Sequence, residues 1–123
     1  MKITDFTTEQ KQALMDLLVL GMYADRNLAS AEDACVQRLL ASLEFPSDFE
    51  RDTFSDAAFT RTSRHTGSPE AVRAYVNELA SQFSTRDVRQ TVYDRLNDLL
   101  TSDGRVTTEE SQLLSAVRTA FQL

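Results

Sequence analysis

The chain has 123 residues, of which 41% are hydrophobic and 26% are charged, and its formal net charge is −6. This length suits one hydrophobic core, so we expect residues 1–123 to form a single domain. The acidic balance argues against a nucleic-acid partner, because binding to phosphates depends largely on Lys and Arg. Only 3 Gly and 2 Pro are present, which is typical of a compact helical protein and argues against disorder.

No segment of the sequence predicts insertion into a membrane. The longest apolar run, residues 17–22, is far shorter than the roughly 20 residues that cross a bilayer. Residues 1–6 include an acidic residue and lack the pattern of a secretion signal. We therefore expect a cytoplasmic protein.

Six helices are predicted by apolar residues three or four positions apart, each series preceded by a capping residue. The first opens at Thr7, in a capping box with Gln10, and ends around Ala24 with its apolar residues on one face. The second begins near Ser30. The other four are expected to open at Ser47, at Ser68, at Ser84 or Thr85, and at Thr107 or Thr108. No alternating segment predicts a strand, so the expected fold is all-α, a single bundle of about six helices.

The third helix and the connection after it differ in composition. The helix is expected to fade by Thr62 and to carry Phe49, Phe54 and Ala58 among its apolar residues. Residues 61–68 lack apolar side chains altogether, which predicts an exposed connection. His65, in the middle of this stretch, is expected to be a solvated loop residue.

An acidic pattern occurs twice in the chain. Asp25 is followed seven residues later by Glu32, and Asp103 is followed by Glu110, so both pairs keep an offset of 78 residues (25 to 103, 32 to 110). Aligning residues 14–43 with 92–121 at this offset gives four identities, three of them acidic. The identities are Asp16/Asp94, Leu18/Leu96, Asp25/Asp103 and Glu32/Glu110. The pattern predicts a duplicated helix-loop-helix unit with carboxylates at each bend.

Neither acidic segment can bind calcium alone. The spacing from Asp103 to Glu110 is that of the second half of an EF-hand loop, but the first ligand position would fall on Leu99 in one copy and Gly21 in the other. If the two duplicated units pack about a pseudo-twofold axis, the two segments together offer enough carboxylates for one or two hard divalent cations, namely calcium, magnesium or manganese. The four candidate ligands are Asp25, Glu32, Asp103 and Glu110. Zinc is disfavoured, since the chain has one Cys and one His.

Asp16 and Asp94 are weaker candidates for the same site. Each lies nine residues before the aspartate of its acidic segment, which is about 13.5 Å along a helix of 1.5 Å rise, and on the opposite face.

Helix capping explains part of the acidic pattern without a ligand. Thr107 and Glu110 have the spacing of a capping box, and Asp103 precedes Gly104 as in a tight turn. Ser30 pairs more naturally with Asp33, so capping does not explain why a glutamate recurs at position 32. The residues alone leave three interpretations open: a divalent-cation site, a surface for a partner, and capping.

No residue is predicted to be catalytic. Cys35 lies among apolar residues, as a buried reduced thiol would, and no nucleophile has a base beside it. We therefore expect no enzymatic activity. The alternative to a cation site is a metal-independent interaction module with an acidic surface that receives an unidentified protein partner. Tyr23 and Tyr93, near Asp25 and Asp94, are the aromatic residues expected at such an edge.

The helix that ends in Ala24 and Asp25, the segment 102–106 and the Glu seven residues after each Asp resemble the TerB-like tellurite-resistance family. The resemblance covers most of the chain, although Arg26 stands where the family usually has glycine. It implies an acidic, internally duplicated, all-helical domain associated with bacterial responses to tellurite and other stresses. It also implies a divalent-metal site at the four carboxylates named above.

Overall fold

Six α-helices make up this protein in a computed structural model that describes residues 6–25, 30–101 and 108–123, without the side chains of residues 21–25, 30–35, 69, 100, 109 and 110. The helices are α1 (Thr8–Asp25), α2 (Ser30–Ser42), α3 (Asp48–Ser63), α4 (Pro69–Ala80), α5 (Arg86–Leu100) and α6 (Thr108–Phe121). Over these residues the chain contains no strand, and the predicted all-α bundle of six helices is confirmed. None of the described helices is long and apolar enough to cross a membrane.

Helix α1 is the centre of the bundle. It contacts each of the other five helices, and eight consecutive side chains, residues 13–20, are buried. Eight residues make more than two helical turns, so side chains on every face of this stretch are buried. Burial along residues 13–20 is therefore not confined to the single apolar face predicted for α1, because neighbouring helices enclose this stretch on every side.

Local hydrogen bonds fix the beginning of α1. The Thr7 amide donates to Gln10 Oε1 at 3.0 Å, and the Gln10 amide donates to Thr7 Oγ1 at 3.2 Å. This is the reciprocal pair of the predicted capping box, which satisfies two amides that have no partner within the helix.

Hydroxyl caps also begin helices α3, α4 and α5. Ser47 accepts from the amide at the third position of α3, and Ser68 does the same for α4, where Pro69 follows it. For α5 the cap is Thr85, whose Oγ1 accepts from the Val88 amide at 3.2 Å. The sequence left Ser84 and Thr85 equivalent, and the structure selects Thr85. Helix α6 begins at Thr108, and residue 107 lies outside the described part of the chain.

Aromatic rings join the beginning of α1, the connection between α4 and α5, and the end of α6. The ring centroid of Phe83 lies 6.0 Å from that of Phe6 and 5.7 Å from that of Phe121. Arg89, in the first turn of α5, donates from Nε to the Phe83 carbonyl at 2.6 Å and from Nη1 to the Phe121 carbonyl at 3.3 Å. Helices α1 and α5 therefore begin at the same end of the bundle, and α6 ends there.

The helix boundaries keep the 78-residue offset of the acidic pattern. Helices α1 and α5 begin at residues 8 and 86, and α2 and α6 begin at residues 30 and 108. These equal offsets favour the duplicated helix-loop-helix unit, which stays a prediction.

Two expectations about α3 are corrected by the structure. Phe49 is 80% exposed, because the main contacts of α3 are with α1 and its remaining faces have few neighbours. The connection predicted over residues 61–68 begins later, since α3 continues through Ser63. Thr62 is fully buried, and its hydroxyl donates to the Ala58 carbonyl one turn earlier, which lets a polar residue remain in a buried helix.

Candidate functional site

Three of the four predicted metal ligands occupy described helical positions. Asp25 is the last residue of α1, and Glu32 and Glu110 are each the third residue of their helices, α2 and α6. Asp103 lies outside the described residues, as do the side chains of the other three. Within the part of the chain that is described, no group of three or more His, Cys, Asp or Glu could hold a metal ion. The four-carboxylate site stays a prediction.

The weaker pair of candidates, Asp16 and Asp94, occupies two different environments. Asp94 is exposed on α5 and accepts a hydrogen bond from Gln90 Nε2 at 2.8 Å, one turn away. Asp16 is only 2% exposed because it lies within the buried stretch of the central helix. The sequence match between them therefore does not extend to a shared role.

The Asp16 carboxylate is held by donors from two other helices. Arg61 of α3 binds it through two nitrogens on one edge of its guanidinium, with Nε 3.0 Å from Oδ2 and Nη2 2.8 Å from Oδ1. The Tyr75 hydroxyl of α4 donates to Oδ2 at 2.5 Å. Such a bidentate Arg–carboxylate pair is stronger and more directional than a single hydrogen bond. The three side chains form the Asp16 cluster, which connects α1, α3 and α4.

The proton affinities in the Asp16 cluster follow from its geometry. The hydrogen bond to Asp16 raises the pKa of Arg61, so the guanidinium stays charged. Burial raises the pKa of Tyr75 above its usual value of 10, and the hydrogen bond and negative charge of Asp16 raise it further. A phenol that stays protonated and a guanidinium that stays charged do not exchange protons with a substrate near neutral pH. The geometry therefore suits a structural connection between helices.

His65 packs beside this cluster. Its ring stacks on the Tyr75 ring with centroids 3.9 Å apart and planes 12° apart, and the residue is half-buried. His65 lies in the connection between α3 and α4, as expected, but the expectation that solvent surrounds it is wrong. The turn after α3 brings it against α4, a contact between residues ten positions apart that local composition cannot predict.

Sequence reasoning missed the role of Asp16, although a signal was present. Residues 13–20 read Ala-Leu-Met-Asp-Leu-Leu-Val-Leu, so one acid interrupts an otherwise apolar series. An acid in such a series needs a buried partner, because an unpaired buried charge is strongly destabilising. Arg61, the first residue of the polar stretch 61–68, is that partner.

A family model described as Tellurite resistance protein TerB matches residues 11–123 of the chain. The chain belongs to the TerB family. The resemblance seen in the acidic segments is thereby confirmed. The match includes the whole of α2 to α6 and all of α1 except its first three residues. No curated protein matches the chain, and no solved structure does.

The match places both acidic segments and the Asp16 cluster inside the TerB domain. Of the other residues considered from sequence, Tyr93 is half-buried against the core of the TerB domain. Cys35 and Tyr23 are helical, but their side chains lie outside the description.

Proposed function

We propose that this TerB-family protein is a non-enzymatic, cytoplasmic stress-response protein of the tellurite-resistance type that binds a divalent cation through Asp25, Glu32, Asp103 and Glu110. The observation that carries the proposal is the equivalent placement of the glutamates. Glu32 and Glu110 are each the third residue of a helix, 78 positions apart, and the family match includes both. Two equivalent helix beginnings can supply one carboxylate each to a shared ion.

The arrangement of the helices also supports a shared site. Helices α1 and α5, which precede the two acidic segments, begin side by side at the end of the bundle held by Phe83. Helix α1 also contacts α5, α2 and α6. Calcium takes six to eight oxygen ligands, more than the carboxylates of either segment provide. A site formed by both halves leaves fewer of these positions to be filled by water.

The proposal is tested by thermal unfolding of chelator-treated protein, with calcium, magnesium, manganese and zinc titrated separately. A cation that binds only the folded state stabilises it by about 2.7 kcal/mol at a hundred times its dissociation constant. For a domain of this size we expect the midpoint to rise by several degrees with one of the three hard cations and not with zinc.

Matched variants locate the effect. Asp25→Asn and Asp103→Asn should each abolish the rise in midpoint. Asp98→Asn removes an exposed carboxylate of α5 outside the proposed ligand set and should retain it. A rise that survives in both ligand variants would place the ion elsewhere, and no rise at millimolar concentrations of any ion would refute the cation site.

The second candidate function is a metal-independent interaction module with an acidic surface. The exposed Phe49, on an acidic part of α3, favours it. The two functions are compatible, since the carboxylates of the proposed cation site and those near Phe49 belong to different segments.

A further inference from the structure

An aromatic patch lies at the beginning of α3. Phe49 is the one large hydrophobic residue that is exposed within the described residues, at 80%. The preceding Pro46 is exposed, and Phe45 is half-buried, with its ring centroid 4.9 Å from that of Phe54. The tilted contact between the Phe45 and Phe54 rings, with planes 51° apart, holds the connection before α3 against the helix. We call Phe45, Pro46 and Phe49 the α3 patch.

Acidic side chains surround the α3 patch. Four exposed acidic residues lie within nine residues of sequence. The same stretch has one basic residue, Arg51, which forms ion pairs with two of the four. The acids are Glu44, Asp48, Glu50 and Asp52. Asp56 adds a fifth, seven residues after Phe49 and therefore on the same face of the helix. The patch thus combines an apolar centre with a negative rim.

Helix stability explains only part of this composition. Asp48 and Glu50 are in the first turn of α3, where negative charge is favourable to the helix dipole. Asp52 and Asp56 lie beyond that turn, and the dipole gives no reason to leave Phe49 in water. A Phe that is 80% exposed lowers solubility and contributes little packing to this fold.

We propose that the α3 patch binds a basic amphipathic helix of another protein, with an apolar side chain against Phe49 and Lys or Arg opposite the acidic rim. Charge selects this occupant. A second copy of the chain would bring the same acids against one another, which is repulsive. A basic helix with an apolar face satisfies both the aromatic centre and the rim.

This proposal does not rest on the cation site, since none of its residues belongs to the four carboxylates proposed as ligands. All binding measurements are therefore made in the presence of a chelator. Binding that persists there separates the two proposals, whichever of them fails.

The probe is a fluorescein-labelled 18-residue peptide with Leu along one helical face and Lys along the other, and binding is measured by fluorescence anisotropy. We expect Phe49→Ser to weaken binding about tenfold, as for a central interface aromatic. Asp52→Asn/Asp56→Asn should weaken it at low salt, with a smaller loss at high salt. The control Glu78→Gln/Asp98→Asn removes the same number of exposed acids elsewhere and should bind like the unaltered protein.

Three results would overturn the proposal. The first is equal weakening by the two acid-removing pairs, which would mean diffuse attraction to an acidic protein. The second is unchanged binding by Phe49→Ser, or no binding of the peptide at all. The third is self-association in sedimentation experiments that Phe49→Ser abolishes, which would make a second copy the occupant.

A fluorescent variant gives a direct readout of contact. The chain has no Trp, so Phe49→Trp introduces a single indole at the centre of the patch. Its emission should shift to shorter wavelength when the Leu/Lys peptide binds and should not respond to a peptide with Glu in place of Lys. An emission maximum that does not move on saturation would contradict contact at this residue.

Discussion

At the residue scale, Asp16 lies in the least favourable environment for a charge among the described residues. Its side chain is only 2% exposed, yet the residues on either side of it, 13–15 and 17–20, are all apolar. The loss of water is offset by two hydrogen bonds from Arg61 and one from Tyr75. The side chain of Arg61 is 34% exposed. Without its partner, Arg61 could therefore be solvated by water, whereas Asp16 would remain buried.

This difference predicts unequal costs of removing the two partners. Arg61→Met retains the aliphatic stem but leaves a buried carboxylate with only the Tyr75 hydroxyl, and we expect a loss of about 3 kcal/mol in the free energy of unfolding. Asp16→Asn leaves a guanidinium that can reach water, so we expect about 2 kcal/mol. The measurement is urea unfolding of both variants.

The double variant Asp16→Asn/Arg61→Met supplies a further check on the pair. It should be more stable than Arg61→Met alone, because it no longer buries an uncompensated charge. Arg64→Met, which removes a neighbouring exposed Arg, should leave the unfolding midpoint nearly unchanged. Losses that simply add in the double variant would mean that the pair is not coupled.

Tyr75 predicts a dependence of stability on alkaline pH. Its pKa is raised in the folded state by burial and by Asp16, whereas the unfolded chain releases this proton near pH 10. The stabilisation is therefore fully present below about pH 10 and is lost as the pH rises toward the folded pKa, at about 1.4 kcal/mol per pH unit.

The comparison with Tyr75→Phe isolates this contribution. At pH 8 the variant should be less stable than the unaltered protein, because it lacks the hydrogen bond to Asp16. Between pH 10 and 11 the difference in unfolding free energy should narrow. A difference that stays constant from pH 8 to 11 would show that the phenol is not protected in the folded state.

At the element scale, the helix beginnings were predictable because capping is local. Each capping hydroxyl accepts a hydrogen bond from the amide three residues later, so the residues involved are visible in a short stretch of sequence. The capping residues are Thr7, Ser47, Ser68 and Thr85. The surroundings of a helix are not local in this sense. The apolar spacing of α1 was compatible with one face, and only contact with five other helices shows that residues 13–20 are enclosed.

The beginning of α5 gives a matched test of capping. Thr85→Ala removes the hydroxyl that accepts from the Val88 amide, and we expect it to lower the unfolding free energy by about 1 kcal/mol. Ser84→Ala changes the neighbouring residue, which is exposed and does not cap the helix, and should have a much smaller effect. Equal effects of the two substitutions in thermal unfolding would contradict the assignment of Thr85 as the cap.

At the scale of the whole molecule, the fold class and family followed from the sequence, whereas the Asp16 cluster did not. The repeated acidic pattern and the capping residues can be recognised in the amino-acid sequence alone. The cluster joins residues 16, 61 and 75, and its prediction requires knowing that α3 and α4 both contact α1. The exposure of Phe49 could not be predicted for the same reason, because the apolar spacing within α3 does not show how many helices pack against it.

The central position of α1 also has a consequence for synthesis of the chain. Helix α1 is synthesised before α6, one of the helices that enclose it. At about 5 to 20 residues per second, the roughly 100 residues from the end of α1 through the end of α6 take on the order of 5 to 20 s to add. During that interval the apolar surface of α1 has no complete cover. We therefore expect the nascent chain to depend on chaperones until α6 emerges from the ribosome.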